Sequence, residues 1–206
     1  TIFENDSLEN ISGLASIAHV TNDLNLGSNL NLTSLDGLNS LKTVGGNLDV
    51  YDSGFTSLGG LENLTMVGGT ASFGSLQLVE NLDPLTNLRS IGGDLGLRSN
   101  SSLTNTDGLR NLEVVTGDLR VHRNHSLEEL AGLQSLESLG GLSIDSNDVL
   151  RSISGLSQVR EIGGELSIRY NESLKSLDGL SALESIGALI AWRCDLTSFG
   201  GLENLR

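Results

Sequence analysis

The sequence contains very little cysteine, proline or aromatic residue, and each shortage excludes a class of protein. Cys194 is the single cysteine, so no disulfide can form within the chain. One proline in 206 residues argues against a proline-rich linker, and 3% aromatics leave the core to leucine, isoleucine and valine. No stretch approaches the roughly 18 apolar residues of a membrane span. We therefore expect one large aliphatic core that needs no disulfides.

Positive charge is also scarce, because 12 lysines and arginines face 26 acidic residues, for a net charge of -14. Such a surface repels phosphate backbones, which excludes nucleic acid as an expected partner. Phosphate-loop and His-Glu-x-x-His motifs are absent, as are paired cysteines for zinc. We predict a chain without catalytic residues, metal or cofactor.

Repetition is what the sequence has in abundance. Each copy holds a short alternating segment, as in residues 165–169, which indicates a strand. Apolar residues then recur at every third position, which fits extended or 3₁₀-like segments better than an α-helix. The pattern predicts an all-β solenoid, a right-handed parallel β-helix of about nine rungs of 23–24 residues. Eight successive strands are predicted to start at Leu24, Leu48, Ala71, Leu95, Leu119, Leu142, Leu166 and Leu189.

Glycine and asparagine recur at fixed places in each copy. Glycine pairs such as Gly92-Gly93 precede the strand, where positive φ or close approach between rungs would require them. Asparagines such as Asn100 and Asn124 follow the strand. We predict that these asparagines adopt left-handed geometry and that their amides form a ladder along the axis.

No linker or change of composition interrupts the repeats, so residues 1–206 are predicted to form a single domain. The repeat pattern is incomplete at both ends of the sequence. Because open solenoid ends expose core and strand edges, we expect a segment of a longer protein. Its ends would then contact further repeats or another chain.

The string Ile-Gly-Gly-x-Leu-x-Ile-x-x-Asn-x-x-Leu at residues 162–174 resembles the receptor L domain. That family is related to leucine-rich repeats and occurs in receptor ectodomains and microbial surface proteins. The resemblance covers the whole chain, and the lack of disulfides favours a microbial member. It implies a secreted or cell-surface protein that binds or adheres to a protein or glycan ligand without catalysis or membrane insertion.

Arginines and aromatic residues concentrate on the outward side of the predicted strands. The two outward positions of each strand and the next position make up about an eighth of the chain, yet hold five of 12 basic and four of seven aromatic residues. Both types are enriched at binding hot spots, although aromatics also favour strands for structural reasons. We predict a ligand-binding face that contains Tyr51, Arg98, Arg120, His122, Arg123, Arg169, Tyr170 and Trp192.

Two catalytic arrangements remain open. A β-helix polysaccharide lyase or hydrolase needs clustered carboxylates, and Asp49 and Asp52 lie near each other without a third acid on neighbouring rungs. His122 and Asp145 share a column and could orient a general base. The alternative is a structural charge ladder through Arg98, His122, Asp145 and Arg169.

An ice-binding surface is the third possible function, because flat solenoids can present ladders of threonine. The candidate column contains Thr33, Thr56, Thr104 and Thr197. Charged residues interrupt this column at five of its nine positions, which argues against a regular ice-binding array.

Overall fold

The computed structural model describes residues 1–206 and confirms a right-handed parallel β-solenoid with nine stacked long strands and about eight turns. Each rung is one turn of the coil with one long strand. The predicted register is confirmed, since Leu119 pairs with both Leu95 and Leu142. In chain order the strands are β1 (Ile2–Phe3), β2 (His19–Val20), β3 (Leu24–Gly27), β4 (Thr43–Val44), β5 (Leu48–Tyr51), β6 (Met66–Val67), β7 (Ala71–Gly74), β8 (Ser90–Ile91), β9 (Leu95–Arg98), β10 (Val114–Val115), β11 (Leu119–His122), β12 (Ser138–Leu139), β13 (Leu142–Asp145), β14 (Glu161–Arg169) and β15 (Ser185–Trp192).

Two parallel sheets run along the rod. The first sheet contains β1, β3, β5, β7, β9, β11, β13, β14 and β15 in that order, called the long strands here although β1 has only two residues. The two-residue β12 joins the same sheet by pairing with the start of β14. The two-residue strands β2, β4, β6, β8 and β10 form a second, narrower sheet that the sequence pattern did not separate from its surroundings. In the last two rungs β14 and β15 are each long enough to include both the position of the short strand and the position of the long strand.

Short 3₁₀ helices occupy a third side of the coil, which confirms the interpretation of the three-residue spacing. A spacing of three matches one turn of a 3₁₀ helix, so the leucine of each turn points to the core. No helix of the structure has the length and apolar character to cross a membrane. The helices are Ser12–Leu14, Asp83–Leu85, Asp107–Leu109, Ala131–Leu133, Ser154–Leu156 and Asp178–Leu180.

A single hydrophobic core of 49 buried residues, aliphatic except for Phe55 and Phe73, runs along the axis. Leu133 and Leu136 are fully buried, and Leu139 is nearly so. Each buried leucine contributes about 1.5–3 kcal/mol relative to an exposed one. The core therefore extends from rung to rung without interruption. The prediction from composition holds for nearly all of it, and the two buried phenylalanines are the aromatic exceptions.

The glycine pairs are explained by close approach between rungs. A β-carbon at Gly68 would lie 2.2 Å from the carbonyl oxygen of Gly45, and one at Gly92 would lie 2.2 Å from that of Gly68. Neither glycine has a positive φ. Of the two predicted reasons, close packing of backbone on backbone is the one that applies here.

The left-handed residue of each rung is the one directly after the long strand. All nine of these positions have φ between 44° and 58°, and none is glycine. The prediction that the asparagines themselves adopt this geometry is therefore wrong by one residue. The left-handed residue turns the chain so that the next side chain, the asparagine, points inward.

The predicted asparagine ladder is confirmed. Asn124 is fully buried, and its Oδ1 accepts a hydrogen bond from the backbone N–H of Asn100 at 3.1 Å. Its Nδ2 donates to the carbonyl of Leu97 at 3.0 Å. The same pattern connects Asn147 to Asn124 and Asn171 to Asn147. These amides satisfy backbone groups that the corner leaves unpaired.

A second polar ladder, which the sequence did not reveal, precedes the long strand. The carboxylate of Asp23 accepts the backbone N–H of Asn47 at 2.7 Å, and the Asn47 side chain accepts that of Thr70 at 2.9 Å. Asp94 accepts the N–H of Asp118 at 2.8 Å. Ladders at both ends of the strands fix their register and so orient their outward side chains.

Candidate functional site

The outward side of the long sheet, called the strand face below, aligns most of the predicted site residues. Arg98, His122, Asp145, Arg169 and Trp192 occupy one in-register column on five successive strands. Adjacent strands lie about 4.8 Å apart, so this column extends over roughly 20 Å. The register thus aligns side chains that are separated by as many as nearly 100 residues in the sequence.

A polar depression of about 260 Å³ lies in the middle of the strand face. Arg98, His122, Arg123 and Asp145 line it, and none of the lining residues is hydrophobic. Arg98 and Arg123 are exposed, and neither guanidinium makes a hydrogen bond or an ion pair within the protein. By contrast, five other arginines have carboxylate partners, namely Arg89, Arg120, Arg151, Arg160 and Arg169.

His122 forms one wall of this depression. Its Nε2 lies 2.8 Å from the hydroxyl oxygen of Ser143 on the next strand. Burial lowers the pKa of His122, and the nearby Arg98, Arg120 and Arg123 lower it further, while Asp145 opposes them. The ring is therefore neutral at neutral pH, because the ordinary pKa of histidine is already about 6.5.

His122 and Asp145 are paired in register but make no hydrogen bond to each other. The Asp145 carboxylate instead accepts the hydroxyl of Ser146 at 2.5 Å. The proposed charge ladder is equally incomplete, since Arg169 pairs with Glu165 of its own strand at 3.7 Å. The column therefore places these side chains next to one another, but they form neither the predicted His–Asp pair nor the predicted charge ladder.

Arg120 lies on the strand face, but its guanidinium is already occupied. One Nη nitrogen contacts the carboxylate of Asp94, and the other lies 2.6 Å from that of Asp118. The backbone N–H of Asp118 and the Arg120 guanidinium hold the pKa of Asp94 below its ordinary value. Arg120 thus clamps two turns together, a role the sequence missed because both partners lie outside the strand columns.

A second group lies near the end of the face. Trp192 is 60% exposed and Tyr170 is 42% exposed, so both present ring surface to solvent. The guanidinium of Arg193, which was not among the predicted residues, lies 5.7 Å from the ring centroid of Tyr170, within cation–π range. The Nε of Arg169 is buried without a hydrogen-bond partner.

Tyr51 is separated from these groups. It lies two long strands before Arg98, and Gly74 occupies the intervening position of the column. Its ring covers Gly27 and faces Phe3 with ring centroids 6.3 Å apart. The structure therefore gives Tyr51 a packing role at the other end of the face.

The residues considered for an enzymatic, metal-binding or ice-binding function do not lie together in one site. Burial, and then the charge of Asp23, raises the pKa of Asp49. No group of three or more His, Cys, Asp and Glu side chains is arranged to hold a metal ion. The threonines of the ice-binding column are exposed, with Glu80 and Glu128 between them. Cys194 occupies the asparagine corner, where its thiol donates to the carbonyl of Ile168 at 3.3 Å.

The strand face thus combines unpaired guanidinium groups with exposed aromatic rings. One guanidinium group can donate two parallel hydrogen bonds to two oxygens of a carboxylate, sulfate or phosphate. Exposed aromatic rings can stack on sugars or apolar side chains. No family model matches the chain, and no curated protein sequence matches it.

Proposed function

We propose that this chain is a non-enzymatic binding or adhesion module of receptor L type, located outside the cell or at its surface. Its ligand is a protein or glycan that lies along the strand face. One observation carries the proposal: Arg98, His122, Asp145, Arg169 and Trp192 form one column in register over five strands, and Arg123 and Tyr170 directly follow two of these strands, in a protein of net charge -14.

The column favours an extended ligand over a compact one. Its length of roughly 20 Å exceeds that of a small metabolite and suits an oligosaccharide or a peptide segment. Solenoids commonly bind partners on such open faces, where many rungs each supply one contact. Removing one central contact of this kind should reduce the binding free energy by about 1–2 kcal/mol.

The structure changes which arginines are expected to contribute. Arg98 and Arg123 have no internal partner, whereas Arg120 is held by Asp94 and Asp118. A guanidinium that already forms two ion pairs gains little from a ligand, because it must give up equivalent contacts. Arg98 and Arg123 are therefore the first cations assigned to ligand contact, with Tyr170 and Trp192 as stacking surfaces. Arg169 is included with them because its single ion pair, to Glu165, spans 3.7 Å.

An array of glycans and cell-surface proteins tests this function. The array is probed with the labelled wild-type chain and with the double variant Arg98→Ala/Arg169→Ala. The control is Arg151→Ala/Lys175→Ala, which removes the same charge from two exposed positions away from the strand face. Ligands bound by wild type should be lost by the first variant and kept by the control. Equal retention by both double variants would show that the strand face is only a solvated surface.

A further inference from the structure

We infer that the depression formed by Arg98, His122, Arg123 and Asp145 is a subsite for an acidic sugar. The two guanidiniums hold the carboxylate or sulfate group of that sugar, and Asp145 accepts a hydrogen bond from one of its hydroxyls. This inference rests on the proposed function, since it names the ligand chemistry of the same face.

The pairing of charges is the first support. Carboxylates outnumber arginines and lysines by more than two to one, and five of the ten arginines pair with one. Arg98 and Arg123 nevertheless remain unpaired while they line the same depression. Two adjacent free guanidiniums repel each other, and an oxyanion between them removes that repulsion while receiving charge-assisted hydrogen bonds.

The remaining lining residues favour a sugar over an acidic peptide. The depression contains no hydrophobic residue that would receive the apolar part of a peptide side chain. Asp145 repels a second carboxylate but accepts a hydroxyl, so it suits a ligand that carries both groups on one ring. Tyr170 directly follows Arg169, the in-register partner of Asp145 on the next strand, and exposes a ring on which a neighbouring sugar can stack.

His122 makes this subsite sensitive to pH. The charged and titratable groups that face its ring are Arg98, Arg120, Arg123 and Asp145. The ring is held in place by Ser143 and is neutral at neutral pH, so it adds no positive charge there. A bound anion favours the protonated ring, and by linkage the affinity for that anion rises as the pH falls.

Calorimetric titration of the full chain with matched pairs of probes tests the subsite. One pair is a galacturonate hexamer and its fully methyl-esterified form, and the other is a sulfated dextran oligomer and its unsulfated parent. We expect each acidic probe to bind at least about tenfold more tightly than its neutral partner. The Arg98→Gln/Arg123→Gln variant should lose at least about tenfold in affinity for the acidic probes.

The matched control is Lys42→Gln/Arg110→Gln, which removes two exposed charges that are also free of ion pairs and lie away from the strand face. Its affinity should stay within about twofold of wild type. Equal losses in both double variants would mean that only net charge matters and would overturn the subsite. A glutamate hexapeptide that binds as tightly as the acidic sugars would overturn the choice of a sugar.

The sulfated oligomer also isolates the role of His122, because its sulfates do not titrate. Its affinity for wild type should rise between about pH 7.5 and about pH 5.5, and His122→Gln should remove that rise. Equal binding of acidic and neutral probes, or binding of none of them, contradicts the subsite. The array experiment decides separately whether the strand face binds any ligand, so the two failures are distinguishable.

Discussion

The ring of Tyr51 lies directly over Gly27, its in-register partner on the preceding long strand. A β-carbon at position 27 would stand 2.3 Å from the Tyr51 Cζ and 2.6 Å from its two Cε atoms. An aromatic ring over a strand glycine covers backbone that would otherwise be exposed. Gly27 is buried even though it points to the outward side of the sheet.

Replacing Gly27 with alanine should destabilise the protein by roughly 1–3 kcal/mol, because the methyl group displaces the Tyr51 ring. Chemical denaturation followed by circular dichroism measures this change. Tyr51→Ala in the same background should recover part of the loss, since the clash is then absent. Gly96→Ala is the matched control, because a β-carbon there meets nothing closer than 3.8 Å. A Gly96→Ala variant as unstable as Gly27→Ala would contradict the explanation.

Asn124→Ala should cost roughly 3 kcal/mol of unfolding free energy. The substitution leaves the buried N–H of Asn100 without an acceptor, which costs about 1–3 kcal/mol, and it also removes the buried amide that donates to the carbonyl of Leu97. Asn63→Ala removes an exposed amide that donates only to the carbonyl of Asn39, and it should cost less than about 1 kcal/mol. Similar midpoints for the two variants in guanidinium chloride would mean that the buried ladder adds little.

Leu136→Ala should lower the unfolding free energy by roughly 2–5 kcal/mol, because it opens a cavity in the middle of a fully buried core. Leu78 is 58% exposed, so Leu78→Ala provides the same chemical change outside the core. The melting temperature of the second variant should stay close to that of wild type. An unchanged melting temperature for Leu136→Ala would show that the rungs do not unfold as one cooperative unit.

The clamp of Arg120 on Asp94 predicts a pH dependence of stability. Because the pKa of Asp94 is lowered in the folded state, its contribution is present above the ordinary pKa of about 3.9 and is lost as the pH falls through the folded value. Arg120→Gln should cost no more than about 1 kcal/mol near pH 7, since the pair is partly exposed. The difference from wild type should shrink below about pH 4.

Urea denaturation at several pH values between about 3 and about 7 measures this difference. Arg110→Gln serves as the control, because Arg110 donates only to a backbone carbonyl and has no carboxylate partner. Its difference from wild type should not vary with pH. If Arg120→Gln behaved in the same flat manner, the clamp on Asp94 would not contribute to stability.

Several structural features followed from the repeat pattern because they depend on every rung being alike. The starts of six long strands from Leu24 to Leu142 match the predicted positions, since in-register parallel stacking repeats the spacing of the sequence. The asparagine ladder followed from the same logic. The left-handed position was misplaced by one residue, because residues as different as serine, arginine and tyrosine occupy it and carry no common signal.

The repeat pattern alone specifies the solenoid, its register and the column in which Arg98, His122 and Arg169 are aligned. The 23–24-residue period fixes which side chains share a face, and the apolar spacing fixes which of them are buried. Which arginines are free to bind a ligand becomes clear only in the folded chain. Arg120 finds its partner Asp94 in the preceding turn, 26 residues away, whereas nothing pairs with Arg98 or Arg123. Ion pairing depends on the path of each side chain across its neighbours, and the repeat period does not specify that path.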